Sequence, residues 1–295
     1  MGLDIQPDAI RLVKLKKIRH RYHVECIIVI DIPRDIFADG KIRQWSLLRD
    51  LLLEVIAANH LHGLPAAINL PSSLVRMQNI QLPYGLSDAE IMMEVDGYVR
   101  RDLPGMQEAL CIDFSIKSHH DTGVMEVFFA ATKEEYLLQY VDCVNATGLD
   151  VKVVDVDIHA LHRAVSFDLR QSGDMIGAHA MLYITQVSAS LIVFDAHEIL
   201  YHQHWDFSSM PGMLKKNVDL YLATNRITLH KLILGGTREG IARISEDAGQ
   251  HWKMPVHFPN PFTQMILTEE VDTTFLTHAP GLMIACGLAM REMPR

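Results

Sequence analysis

Apolar and polar residues alternate over residues 2–15, which predicts two β-strands joined by a tight turn at Gln6-Pro7-Asp8. Asp4 lies near the end of the first strand, and Arg11 lies early in the second. A carboxylate and a cation on either side of a turn are typical of a hairpin that holds a phosphate and its metal ion. Such a turn normally contains glycine, because backbone N–H groups must approach the phosphate oxygens. This turn has none, so it predicts an altered phosphate site.

Hydrophobic periodicity further along the chain predicts the order β-β-β-α-β twice. The first copy continues with a strand at 22–32, an amphipathic helix at 43–59 and a strand at 66–70. The second copy has strands at 179–186, 189–194 and 199–204, a helix at about 213–224, and a strand at 231–234 that stops at Gly235-Gly236. The repeat is one of architecture, since the two copies share no evident sequence identity.

Residues 71–148 have a different pattern and predict a compact β-α-β-β-α subdomain inserted into the first copy. Its predicted elements are a strand at 74–82, a helix opened by a capping box at Ser87–Glu90, strands at 110–117 and 124–131, and a helix opened by a capping box at Thr132–Glu135 and closed by Gly148. A strand at 150–157 and a helix at 159–169 follow, and residues 171–174 are a candidate boundary. A helix at 281–291 ends the chain.

Two such halves with a cleft between them are the plan of the actin-like ATPases. We therefore predict an α/β, actin-like (ribonuclease H-like) two-domain ATPase fold. Residues 1–170 form the first half, with the insertion at about 71–148, and residues 171–295 form the second half. In this plan the first hairpin of each half faces a phosphate, and a Gly-Gly turn lies behind the adenosine. The candidate cofactor-binding residues are Asp4, Gln6, Arg11, Thr185, Gly235 and Gly236.

Composition narrows the class of protein. The 295 residues are 49% hydrophobic and 21% charged, which is an ordinary globular composition. The net charge of −9, from 27 basic and 36 acidic residues, argues against a nucleic-acid partner. No apolar run reaches the ~18 residues of a membrane span, and no secretory signal pattern opens the chain. The four cysteines are scattered without a Cys-x-x-Cys pair, so we expect reduced thiols in a cytoplasmic protein.

The chain lacks the common sequence motifs of hydrolytic and nucleotide-cleaving enzymes. There is no Gly-x-x-x-x-Gly-Lys loop and no Gly-x-Ser-x-Gly elbow, so we predict no enzyme, with ATPase activity weak or absent. His159 and His162 lie one helical turn apart near Asp155 and Asp157, which is metal-like spacing. A zinc site needs further ligands at matching distance, and sixteen histidines produce such pairs by chance. We therefore predict that the chain has no metal site.

Six motifs, in order over most of the chain, resemble the type IV pilus PilM family, actin-like proteins close to the cell-division protein FtsA. The first phosphate hairpin of that family is similar to residues 2–13, and its last helix is similar to residues 285–291. Between them, the similar segments are residues 80–90, 111–114, 154–164 and 232–236.

The resemblance implies a scaffold whose inserted subdomain is of the FtsA type. PilM-like proteins bind ATP in the cleft and grip the N-terminal peptide of the bitopic membrane protein PilN beside that subdomain. Tyr98, Arg100 and Arg101 are then the candidate partner-binding residues. The implied protein is cytoplasmic, peripheral at the inner membrane through its partner. It would also contact other pilus platform or motor proteins, and the resemblance leaves a homo-oligomer or ring open.

Departures from the family pattern bear on the cofactor. Gln6 stands where the family has glycine, and Arg11 stands where it often has lysine. Tyr183-Ile184-Thr185-Gln186 stands where the family has Asp-Ile-Gly-Ala, so the second carboxylate and the second glycine are both replaced. We therefore expect a degenerate nucleotide site, with ATP and Mg²⁺ bound weakly or not at all.

Two alternatives stay open. One is an ATP-binding, polymerising protein like FtsA, which Mg-ATP would stabilise against heat. The other is the cytoplasmic domain of a type II secretion L protein, which would need a membrane span and a periplasmic domain downstream.

Overall fold

The computed structural model describes residues 1–33, 35–38, 40–102, 108–120, 123–206, 223–224, 227–242, 256–269 and 271–293. Two compact units divide the chain. Unit 1 consists of Met1–Asn69 together with Val144–Arg295, and unit 2 is Leu70–Cys143. Unit 2 therefore interrupts the sequence of unit 1.

The first sheet of unit 1 has six strands in the order β10-β6-β1-β2-β3-β16. The strands are β1 (Gly2–Ile5), β2 (Ala9–Ile18), β3 (Arg21–Asp31), β6 (Pro65–Leu70), β10 (Asp150–Val156) and β16 (Ile266–Leu267). β1 pairs antiparallel with β2 and parallel with β6. The alternation over residues 2–15 thus becomes the predicted hairpin, in which Asp4 lies opposite Arg11.

The second sheet of unit 1 has five strands in the order β13-β12-β11-β14-β15. The strands are β11 (Ala178–Ile184), β12 (Ser188–Phe194), β13 (Ile199–Asp206), β14 (Leu229–Gly236) and β15 (Val256–His257). In both sheets the first strand of an antiparallel meander also pairs in parallel with the fourth: β1 with β6, and β11 with β14. The repeated strand order of the sequence therefore corresponds to a repeated sheet topology.

The helices of unit 1 are α1 (Trp45–Ala58), α4 (Asp157–Ser172) and α5 (Met283–Ala289), numbered along the chain. The last helix is shorter than predicted, because residues Thr273–Gly281 form a 3-10 helix that contains Pro280. Proline lacks the N–H that an α-helical turn would use. The predicted helix at 213–224 lies outside the described residues apart from 223–224, which are helical.

Unit 2 is a three-stranded sheet in the order β7-β9-β8 with two helices. Its elements are β7 (Arg76–Pro83), α2 (Asp88–Asp102), β8 (Leu110–His120), β9 (Val124–Lys133) and α3 (Glu134–Asn145). Its core is formed by one face of α2 and one face of the sheet: Ile80, Leu82, Ile91, Val95, Val99, Met125, Val127, Phe129 and Ala131. All of these residues belong to unit 2, so this unit has a hydrophobic core of its own.

One of the two predicted capping boxes forms. The Glu90 carboxylate accepts a hydrogen bond from the Ser87 N–H at 2.7 Å, and the Glu90 N–H reaches the Ser87 hydroxyl at 3.4 Å. The prediction at Thr132 is wrong, because β9 continues through Lys133 and the Thr132 hydroxyl donates to the carbonyl of Leu74. Leu74 itself lies in a short 3-10 helix before β7. The Thr132 hydroxyl thus bonds to a carbonyl distant in sequence and does not cap α3 as the local pattern predicted.

Four short strands were not predicted from the sequence: β4 (Phe37–Ala38), β5 (Lys41–Ile42), β15 and β16. Each has two residues. Such a length is too short to show a period of two, so hydrophobic alternation carries no signal for them.

Candidate functional site

The first hairpin places the Asp4 carboxyl in the protein interior. Asp4 is 0% exposed, and the Gln6 side-chain amide donates a hydrogen bond to its Oδ1 at 2.9 Å. Among the described residues, Oδ2 has no hydrogen-bond partner. Burial raises the pKa of Asp4 to about 7, although Arg11 and Gln6 act in the opposite direction. A hydrated magnesium ion would require an exposed and ionised carboxylate. Asp4 is buried and only partly ionised at neutral pH.

Arg11, the predicted phosphate cation, is bonded within its own hairpin. Its guanidinium donates to the two carboxylate oxygens of Asp8, at 2.5 and 3.4 Å. Both side chains are almost fully buried, at 6% and 4% exposed. A buried ion pair joined by two hydrogen bonds is costly to break, because either partner left alone becomes an uncompensated buried charge. An incoming phosphate would have to displace Asp8.

The second hairpin joins β11 to β12 through Thr185, and it uses its own hydrogen-bond donors. The N–H groups of Val187 and Ser188 donate to the Thr185 hydroxyl at 3.3 and 3.0 Å. The Thr185 N–H donates to the Ser188 carbonyl at 2.9 Å. The Thr185 hydroxyl thus accepts hydrogen bonds from backbone N–H groups of the kind that a glycine turn would offer to phosphate oxygens.

Tyr183 occupies the β11 position where the family pattern has a carboxylate. It is 3% exposed, and its hydroxyl donates to the carbonyl of Gly281 at 2.8 Å. Burial raises the pKa of Tyr183 above its usual range, so the hydroxyl stays protonated and acts as a donor. A neutral phenol cannot replace a carboxylate as a metal ligand at this position.

The Gly235-Gly236 turn has a structural requirement for glycine. Gly236 has φ +111°, and a Cβ there would overlap the carbonyl of Ile184 on β11. The Thr237 N–H donates to that carbonyl at 2.8 Å. Strand packing alone therefore demands glycine at position 236, whether or not an adenosine lies nearby.

A cavity of about 510 Å³ lies in unit 1 beside these elements. Of the six candidate cofactor residues, Arg11 and Gly236 line it, whereas Asp4, Gln6, Thr185 and Gly235 do not. The ionisable residues in its wall are Asp8, Arg11, Asp31, Arg238, Glu239 and His278. Asp8 was not among the candidate residues predicted from the sequence, although its position three residues before Arg11 was an available signal.

Taken together, the hairpins do not fit a magnesium-bound nucleotide. The remaining carboxylate, Asp4, is buried. The cation Arg11 is paired, and the turn at Thr185 satisfies its own N–H groups. Within the described residues, no group of three or more His, Cys, Asp or Glu side chains is placed to hold a metal ion, and this includes the surroundings of His159 and His162.

The candidate partner residues lie on α2 in unit 2. Tyr98 and Arg101 line a groove of about 530 Å³ together with Glu94 and residues 79–83 of β7. The Tyr98 hydroxyl accepts a hydrogen bond from Gln78 at 2.8 Å. Arg100 pairs with Asp96 on the same helix at 2.8 Å and does not line this groove. In the described part of unit 2, β7 pairs only with β9, so its other edge is open, and residues 79–83 of this edge strand line the groove.

Comparison with known proteins settles the family. The sequence matches the family described as "Type IV pilus assembly protein PilM" over residues 2–213 and 207–293. The chain belongs to the PilM family. The fold agrees with that of a solved "PilM-PilN type IV pilus biogenesis complex", with TM-score 0.79, 17% identity, and coverage of 98% of this chain and 97% of that one.

Two further solved structures are similar to this PilM-family chain. One is a Bacteroides thetaiotaomicron protein with an actin-like ATPase fold, at TM-score 0.53 and 9% identity, covering 88% of this chain and 90% of that one. The other is the ethanolamine utilization protein EutJ of Carboxydothermus hydrogenoformans, at 0.55 and 12%, covering 98% and 88%. The predicted actin-like fold is confirmed. The FtsA-type character of the insertion stays a prediction. Across the residues that the structure describes, no helix is both long enough and apolar enough to cross a bilayer.

Proposed function

We propose that this PilM-family chain is an adaptor of the type IV pilus inner-membrane platform, which binds the N-terminal segment of a PilN-like membrane protein. The observation that carries the proposal is the family match along the chain. The solved complex of PilM with PilN, which shares the fold, supports the choice of partner. Membrane association would then come through the partner.

The groove between α2 and β7 is the proposed docking place. An extended peptide can add to an open strand edge through main-chain hydrogen bonds, while alternate side chains reach the neighbouring helix. Here the edge is β7, and the helix presents Glu94, Tyr98 and Arg101 to the groove. A carboxylate on the partner segment would suit Arg101, since guanidinium groups bind carboxylates with two hydrogen bonds.

The test is a titration of the full chain into a fluorescent peptide that carries the N-terminal residues of the PilN-like protein. We expect saturable binding that Arg101→Ala weakens by about tenfold, equivalent to about 1.4 kcal/mol. Arg49→Ala is the matched control, because Arg49 is an exposed arginine on α1 that pairs with Asp50.

A second arm of the titration uses Arg100→Ala, which distinguishes binding in the groove from binding elsewhere at the end of α2. If the segment docks in the groove, Arg100→Ala costs less affinity than Arg101→Ala, because Arg100 does not line it. Absence of saturable binding, or equal losses for Arg49→Ala and Arg101→Ala, would contradict the proposal.

A further inference from the structure

The buried polar groups of the two hairpins form one continuous junction within unit 1. Tyr183 on β11 of the second sheet donates to the carbonyl of Gly281 at 2.8 Å. Gly281 in turn lies beside Arg11 on β2 of the first sheet, since a Cβ at position 281 would be 3.8 Å from the Arg11 Nε. Arg11 is bonded to Asp8 at the turn. Polar side chains from both sheets therefore meet at the segment before α5.

The same junction includes the Gly-Gly turn of β14. A Cβ on Gly281 would lie 3.1 Å from the carbonyl oxygen of Gly236, so the two glycines are in close contact. Gly236 is itself held against Ile184 of β11 through the Thr237 N–H. The Gly-Gly turn is thus packed on β11 and on the segment before α5.

We propose that this junction replaces the nucleotide: Asp8 pairs with Arg11, Tyr183 links the second sheet to the segment before α5 that lies beside Arg11, and the protein keeps one arrangement whether or not ATP is present. In the actin-like plan, hairpins from both halves face the phosphates of a single nucleotide. In this chain the carboxylate of Asp8 supplies the anion for Arg11. Tyr183, in the place of a metal-binding carboxylate, supplies a donor to the backbone of a third segment.

Asp8 and Thr185 each supply a partner to a group that a nucleotide would otherwise satisfy. This supports replacement of the nucleotide by protein groups over simple loss of the ligand. A lost phosphate would leave Arg11 as a buried cation without a partner, and buried ions are strongly disfavoured unless paired. Asp8 pairs with it at two oxygens. The backbone donors of the second turn would also lose their acceptor, and the Thr185 hydroxyl accepts from two of them.

The first experiment measures the melting temperature of the full chain with and without Mg-ATP and Mg-ADP. A ligand at 100 times its dissociation constant stabilises the folded state enough to be obvious in a melt. We expect no shift at millimolar nucleotide. A rise in the melting temperature with either nucleotide would overturn the proposal.

The second experiment tests the junction itself with Tyr183→Phe. This change keeps the ring and removes the hydroxyl, so the buried Gly281 carbonyl loses its donor. We expect the melting temperature to fall by about 2–6 °C. Tyr201→Phe is the matched control, because the Tyr201 hydroxyl donates to Gln203 on the same strand, β13.

Hydrogen exchange distinguishes a junction from a local contact. If Tyr183 joins the two sheets, Tyr183→Phe accelerates exchange in the β1–β2 hairpin and in residues 278–283 together. Tyr201→Phe should change exchange only around β12 and β13. Acceleration confined to β11 and its neighbouring strands in the Tyr183→Phe protein would show that the hydroxyl does not link the sheets, and the proposal would fail.

Discussion

The Asp4 carboxyl is fully buried in the first sheet, and burial raises its pKa to about 7. Only one of its oxygens has a hydrogen-bond partner among the described residues, the side-chain amide of Gln6. In the unfolded chain the same group titrates near its ordinary value of 3.8. The folded state therefore holds the proton more tightly than the unfolded state does, which links this one residue to the pH dependence of stability.

Replacing Asp4 with asparagine should stabilise the protein above pH 7. The contribution of Asp4 is most favourable below pH 3.8 and is lost as the pH rises from 3.8 to about 7, because the folded state must then bury a charge. Asparagine stays neutral and can still accept from Gln6. We expect a gain in the free energy of unfolding of up to about 4 kcal/mol at pH 8, measured by urea denaturation.

The gain should shrink as the pH is lowered towards 4. Asp113→Asn is the control, because Asp113 is an exposed carboxylate on β8 and should give no gain that grows with pH. A wild-type protein more stable than Asp4→Asn at pH 8 would mean that the Asp4 carboxylate has a favourable partner in the folded state.

At the scale of elements, α4 and α5 approach each other closely at Gly287. A Cβ at this position would overlap the carbonyl oxygen of Ala160 on α4. Arg163 of α4 donates to the Gly287 carbonyl at 2.7 Å and to Asp155, before α4, also at 2.7 Å. The contact thus combines a steric requirement for glycine with a charged hydrogen-bond network.

Gly287→Ala and Gly97→Ala should have opposite effects, although both glycines lie within helices. No atom outside its own helix lies within 4 Å of the position of a Cβ on Gly97 in α2. Alanine there should stabilise by about 0.5–1 kcal/mol, because glycine costs more backbone entropy. At Gly287 the added methyl group must push α4 away, and we expect a loss of more than about 2 kcal/mol.

Thermal melts of the two variants provide the measurement. The wild-type melting temperature should lie between those of the two variants. If Gly287→Ala matched or exceeded the wild type, the close approach of α4 and α5 would be disproved.

At the scale of the molecule, α4 and the second sheet of unit 1 carry several half-buried or buried histidines. Burial lowers the pKa of His159, His162, His179 and His202, and that of His159 falls to about 4. For His159, Asp155 acts in the opposite direction, whereas His162, Arg163 and His202 lower the value further. Acidification therefore charges several side chains in one part of the fold.

We expect stability to depend on pH through this histidine group. A histidine with a lowered pKa contributes fully above the unfolded value of 6.5, and its contribution is lost as the pH falls from 6.5 towards 4. His159 alone accounts for up to about 3 kcal/mol. The variant His159→Gln should therefore lose less stability than the wild type between pH 7 and pH 5.

The measurement compares the free energies of unfolding of both proteins across this pH range. His197→Gln is the control, because His197 is exposed and should leave the profile of the wild type unchanged. Parallel profiles for wild type and His159→Gln would exclude His159 as the source of acid sensitivity.

Local patterns in the sequence determined the order of the longer strands and of the helices in the described residues, the hairpin that sets Asp4 opposite Arg11, and the capping box of Ser87 and Glu90. These features depend on residues only a few positions apart, so periodicity and turn chemistry suffice to predict them. The resemblance to the PilM family also identified Gln6 and Thr185 as residues that stand where that family has glycine, and it gave the expectation of an altered phosphate site.

Only the tertiary structure decided which partner each polar side chain took. The Tyr183 hydroxyl meets a carbonyl 98 residues away, and the Thr132 hydroxyl meets one 58 residues away. Burial of Asp4 and the groove beside Tyr98 likewise depend on how distant segments pack. A buried polar group must find a partner somewhere in the fold, and no local pattern specifies where that partner lies.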